Sequence, residues 1–84
     1  MIKKSDVRFG QLRAFLEAMG FTATREKKGW RLAHEQSGTT FYLRPYRDRD
    51  RVYFVHLFLV RCELGARGML DEEAFEKSLT KMPA

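Results

Sequence analysis

The side chains equipped for chemistry are few: His34, His56, Cys62, and a series of cations interleaved with aromatic rings between residues 25 and 51. Metal-independent cleavage of RNA needs a base that titrates near neutral pH to take the ribose 2′-hydroxyl proton, and a cation to steady the charge developing on the phosphate. Only the two histidines suit that base. His56 lies in Val55-His56-Leu57-Phe58, where a partly buried histidine on a helix face is the plain reading. His34 stands at a strand end before a turn, so it is the candidate catalytic residue, set against a turn-capping or solvated role. Two histidines without a cysteine partner or ligand spacing do not make a metal site, so no metal is expected. No nucleophile motif, phosphate-cradling glycine loop or carboxylate pair is present, and no cofactor is expected.

Binding chemistry is better represented. Arg25, Lys27, Lys28 and Arg31 gather around one hairpin with Trp30 among them, and Arg44 leaves the following strand between Tyr42 and Tyr46. Cations that track phosphates beside rings on which bases or riboses pack are the ingredients of RNA contact. Arg25, Lys27, Lys28, Trp30, Arg31 and Arg44 are therefore the candidate RNA-binding residues. Each has a plainer alternative: Lys27 and Lys28 as turn residues, Trp30 as core. Arg47, Arg49 and Arg51 alternate with Asp48 and Asp50, which suits a self-neutralised loop as well as a phosphate clamp. The net charge is +5, from 16 Lys and Arg against 11 Asp and Glu. Residues 1–61 carry 13 cations against 6 acids and the rest 3 against 5, so the positive field belongs to the first three-quarters of the chain.

At 84 residues the chain has room for a single domain with one two-layer core. A lone cysteine excludes an intrachain disulfide, and charge precedes any apolar run at the N-terminus, so a soluble cytoplasmic protein with no membrane segment is expected. Leu12, Phe15, Leu16 and Met19 fall on one helical face and predict a helix over 9–19, stopped by Gly20 and Phe21. The pattern then predicts strands at 22–26, 30–34 and 39–44, an antiparallel meander turning at Lys27-Lys28-Gly29 and Glu35-Gln36-Ser37-Gly38. Residues 46–51 read as a charged, exposed loop. Residues 52–60 have strand composition, but Val55, Phe58, Leu59 and Cys62 recur at helical spacing and Gly68 suits a cap, so a helix is placed at about 55–67. Its apolar density exceeds what one buried face needs, which makes Tyr53, Phe54 and Phe58 candidates for a partner surface, unless the helix is buried on several sides. Asp71 as N-cap, with Glu72 and Glu73 in the first turn, starts a last helix at about 72–81. The expected fold is α+β in the order αβββαα, with a three-stranded antiparallel sheet covered on one face by helices.

Residues 8–81 resemble the HicA toxin family, small bacterial toxin–antitoxin proteins with a fold similar to the double-stranded-RNA-binding domain. Three stretches carry the resemblance. Leu12 to Phe21 followed by Arg25 looks like the family's first helix, ending in Gly-Phe ahead of a basic strand. His34 to Gly38 and a strand ending in Arg44-Pro45 look like its second turn and third strand. Leu59 to Leu64, Gly68, Leu70 and Glu73-Ala74-Phe75 look like its closing helices. The resemblance implies an mRNA interferase, RNA as ligand and a HicB-like antitoxin that covers the RNA-binding face. The family's catalytic histidine follows a glycine turn into the second strand; here that stretch reads Lys27-Lys28-Gly29-Trp30-Arg31 and holds none. The reading is an RNA-binding, non-catalytic relative. The alternatives are an active interferase using His34, and an interaction module whose basic face meets an acidic protein or a second copy in a homodimer.

Overall fold

The computed structural model describes residues 3–70 and 72–81. Along the chain run β1 (Lys4–Arg8), α1 (Phe9–Ala18), β2 (Thr22–Glu26), β3 (Gly29–His34), β4 (Thr39–Leu43), β5 (Arg51–Tyr53), α2 (Phe54–Ala66) and α3 (Glu72–Lys81). The fold is α+β, with the expected antiparallel β2-β3-β4 sheet and a second, two-stranded sheet of β1 and β5. α1 buries Phe9, Leu12, Phe15 and Leu16, the face that its apolar spacing marks. It stops as anticipated. Gly20 takes a left-handed φ of 105°, the Gly20 N–H donates to the Glu17 carbonyl and the Phe21 N–H to the Leu16 carbonyl at 3.0 Å each, and the Phe21 ring folds into the core.

In the meander, residues directly opposite share a face. Ala23, Leu32 and Phe41 form one row, and Arg25, Trp30 and Leu43 the next; Leu32, Phe41 and Leu43 are buried. Between these rows, Thr24, Arg31 and Tyr42 point to the open face, where Tyr42 is 70% exposed. Gly29 opens β3 because nothing larger fits: a Cβ there would lie 2.0 Å from the Leu43 carbonyl oxygen.

Residues 46–51 are not a free loop. Tyr46 is buried, and Arg51 already belongs to β5. Backbone hydrogen bonds sew this stretch to the start of α1: the Phe9 N–H donates to the Asp50 carbonyl and the Gly10 N–H to the Asp48 carbonyl, each at 2.8 Å. β1 continues the seam through the buried Ser5, whose hydroxyl donates to the Val52 carbonyl at 2.7 Å. β1 escapes sequence reading because Lys4-Ser5-Asp6-Val7-Arg8 offers one serine and one half-buried valine where an inward alternation would ordinarily show two hydrophobic residues.

The ambiguous segment divides at Tyr53, which is extended and precedes the first helical residue, Phe54. α2 ends as Gly68 predicts: the Met69 N–H donates to the Leu64 carbonyl at 2.9 Å and the Gly68 N–H to the Gly65 carbonyl at 3.1 Å. Its buried residues are Val60 and Leu64, while Val55, Phe58, Leu59 and Cys62 lie exposed. The stripe that signalled the helix is its solvent side. α3 closes the core by burying Phe75, edge-on to Phe15 at 5.4 Å, and Leu79. Asp71, the expected N-cap, lies outside the described residues. No helix among the described residues is long and apolar enough to cross a membrane.

Candidate nucleic-acid interface

The hairpin geometry brings most of the candidate binding residues to one end of the three-stranded sheet. Arg25 opposes Trp30, Trp30 opposes Leu43, and Arg44 follows directly, while Lys27 and Lys28 form the adjoining turn. Arg31 is one step along and on the other face, beside Tyr42, with its Nε 3.5 Å from Glu26. Five of the six candidates thus share an end, and Arg31 is turned away from it.

Trp30 is half-buried. One side of the ring packs on Phe9 at 5.2 Å, its Nε1 donates to the Tyr46 carbonyl at 2.9 Å, and two guanidinium groups lie over it, Arg13 at 5.5 Å and Arg25 at 6.0 Å. It is therefore part core and part surface. Arg25 also caps the turn, donating to the carbonyls of Glu26 and Gly29. Arg13 lies one helical turn from Glu17, yet its ion pair is with Asp48 at 2.8 Å, 35 residues away. That pairing has no local signal in the sequence.

The aromatic packing continues from Phe9 to Tyr46 at 5.3 Å, and from Tyr46 to Tyr53 at 5.9 Å and His56 at 5.7 Å. Arg44 sits against this far end. Its guanidinium lies 5.3 Å from the Tyr46 ring and 5.0 Å from the Tyr53 ring, and donates to the Tyr53 hydroxyl at 2.6 Å. The Lys4 ammonium lies 6.0 Å from the same Tyr53 ring. Among the described residues no carboxylate forms an ion pair with Arg44, Lys4, Lys27 or Lys28. Cations without counter-ions beside accessible rings are what a phosphate backbone requires.

His56 is held by this cluster. The Tyr46 oxygen accepts the Tyr53 N–H at 3.0 Å and is hydrogen-bonded to His56 Nδ1 at 2.6 Å, which fixes the imidazole against the phenol. Burial, and then the charge of Arg44, push the His56 pKa below its ordinary 6.5. Burial raises the Tyr46 phenol above 10.0. At neutral pH the pair is uncharged, and His56 lies within the field of the Arg44 guanidinium. Sequence reading places His56 on a helix face, correctly, but the phenol that orients it belongs to a segment read as exposed loop.

His34 lies at the opposite end of β3. Its Nδ1 is 2.8 Å from the Ser37 hydroxyl and accepts the Ser37 N–H at 3.3 Å, so the ring caps the turn from β3 into β4. The ring also packs against Phe21 at 5.1 Å. The structure therefore separates the candidate catalytic histidine from the cationic hairpin by the length of the strand. Among the described residues no group of three His, Cys, Asp or Glu side chains is placed to hold a metal ion.

No protein-family model, curated protein or solved structure matches this chain.

Proposed function

We infer that this chain binds RNA, as a HicA-like domain without the family's catalytic histidine. The observation that carries the reading is the convergence of Arg25, Lys27, Lys28 and Arg44 on one sheet end, beside the half-exposed rings of Trp30 and Tyr53. Arg13, Lys4 and His56 extend the candidate interface along the same aromatic row. The succession of α1, the three-stranded meander, α2 and α3 supports the kinship, since it is the order that the resemblance implies, with β1 before α1 and β5 before α2 as additions to it. Arg31 and Tyr42 stand on the open face and form a secondary contact for a longer ligand.

Phosphates align along the guanidinium and ammonium groups, and an unstacked base or ribose packs on Trp30 or Tyr53. Nothing in this arrangement needs bond cleavage. The binding role stands apart from catalysis, and His34 keeps to its turn.

Titration of a short RNA, single-stranded and duplex, against rising salt tests the reading. If four to five cations neutralise phosphates, log affinity should fall against log salt with a slope of roughly −3 to −4. Replacing Lys27 and Lys28 with serine should flatten that slope by about 1.5 and weaken all sequences alike. No RNA binding at low salt, together with salt-sensitive binding of an acidic polypeptide such as poly-glutamate, would favour the rival reading, in which the basic face takes an acidic protein or a HicB-like antitoxin.

A further inference from the structure

The turns of the meander fix which backbone groups it leaves over. Glu26 and Gly29 flank a two-residue turn and oppose each other as the closing pair of the β2-β3 ladder. Along an antiparallel strand, alternate residues turn their N–H and C=O to the same neighbour. Gly29, Arg31 and Ala33 therefore bond to β2, and Trp30, Leu32 and His34 to β4. Their partners Leu43, Phe41 and Thr39 direct their own groups to β3, and the Leu43 carbonyl oxygen lies close enough to Gly29 to exclude a Cβ there. Thr40 and Tyr42 turn the opposite way. Both are exposed, and among the described residues their N–H and C=O groups find no partner outside the sheet.

β4 is an edge strand of its sheet, and it lacks the devices that keep edges apart. Thr39-Thr40-Phe41-Tyr42-Leu43 holds no charge, proline or glycine, and its pairing with β3 runs without a bulge. The other edge of the sheet is guarded. β2 carries Arg25 and Glu26, and Lys27 and Lys28 adjoin it. A flat, uncharged edge of β-branched and aromatic residues, with unused donors and acceptors at Thr40 and Tyr42, is a template for one more strand.

We propose that this strand is β4 of a second copy, paired antiparallel about a two-fold axis at Phe41. The strand is its own complement in that register. Thr40 lies opposite the second copy's Tyr42 and Tyr42 opposite its Thr40, so the residues whose backbone groups are unused meet each other, and each pair exchanges both N–H···O bonds. Side chains keep their faces. Thr40 and Tyr42 form aromatic against β-branched pairs on the open face, while Thr39, opposite the second copy's Leu43, and Phe41, opposite its counterpart, stay on the core face. No like charges meet. Arg44, the first charged residue past the strand, stands opposite the second copy's Gly38. Because the β2 edge is guarded, pairing closes at two copies, and Arg31 and Tyr42 of both lie on one continuous open face.

Sedimentation and amide hydrogen exchange of the full chain at rising concentration test the pairing. From about 5 μM to about 1 mM the mass should climb from 9.9 kDa toward twice that value. Over the same range exchange at Thr40 and Tyr42 should slow at least about 10-fold, while the Phe41 amide, already bonded to β3, keeps its rate. Replacing Thr40 and Tyr42 together with lysine sets like charges opposite each other in both pairs, on side chains that face solvent in the single copy. That variant should stay at 9.9 kDa with the circular dichroism of the parent. A parent chain that remains at 9.9 kDa throughout overturns the proposal, as does a dimer whose Thr40 and Tyr42 amides exchange as fast as in the single copy. A folded double-lysine variant that still dimerises overturns it too.

Discussion

Tyr46→Phe removes one oxygen and strands two groups, the Tyr53 N–H that it accepts and the His56 Nδ1 to which it is hydrogen-bonded. Because Tyr46 is buried, the cost is that of an unsatisfied donor, about 1–3 kcal/mol, readable as a lower urea midpoint with an unchanged slope. His56 gives the same cluster a pH signature. Its folded pKa lies below 6.5, so an unfolded chain, which titrates near the ordinary value, takes up a proton that the folded chain refuses. Stability is therefore full above 6.5 and declines as pH falls through 6.5 toward the folded value. Urea midpoints at about pH 7.5 and 5.5 should differ more in the parent than in His56→Gln, since the variant has no imidazole to titrate. His34 makes the opposite case. A histidine at a strand end is open to catalysis as well as to capping until the Ser37 hydroxyl and N–H are found on its Nδ1, three residues along the turn.

Among the elements, the meander is the best recorded in the sequence, because its turns use residues with few alternatives. Gly29→Ala should be among the costliest single-methyl changes in the chain. The added carbon meets the Leu43 carbonyl oxygen, a backbone atom that cannot yield without opening the β3-β4 ladder, and a loss of about 3 kcal/mol or more is expected in thermal or urea unfolding. β1 and β5 are the counter-example. Each is short, β1 is polar and β5 buries only Val52, and each exists because Ser5 and the backbone groups of Asp48, Asp50 and Lys3 find partners when the start of the chain meets residues 48–54. α2 shows a third situation. Its periodicity correctly announces a helix, yet two apolar stripes wind around it, and Val60 and Leu64, not the longer stripe, are buried.

At the scale of the molecule, one cluster joins α1, the meander, α2 and α3, and α3 lies against α1 chiefly through Phe75 and Phe15. A domain this small has a stability of only about 5–10 kcal/mol. Phe75→Ala should cost about 3–5 kcal/mol and leave a substantial unfolded fraction at physiological temperature, which circular dichroism melts would detect. The same scale explains how a cationic surface and a packed core share one row of rings. Phe9 and Tyr46 are buried and hold Trp30 and Tyr53 at the surface, so one aromatic row serves as core on its inner side and as a platform beneath cations on its outer side.

The α+β class, the limits of α1, the meander, α2 and α3, and the basic character of the hairpin were all determined by the chain's own local order. Helical spacing, the glycines that end α1 and α2, and a run of lysine before a turn act over a few residues, and their physics is complete within that span. Tertiary structure alone decided which cations share an end, that Arg13 reaches Asp48, that Tyr46 is interior, and which side of α2 faces water. These depend on contacts between residues ten to fifty positions apart. Such contacts form only once the whole core has closed, and no neighbour in the sequence carries their trace.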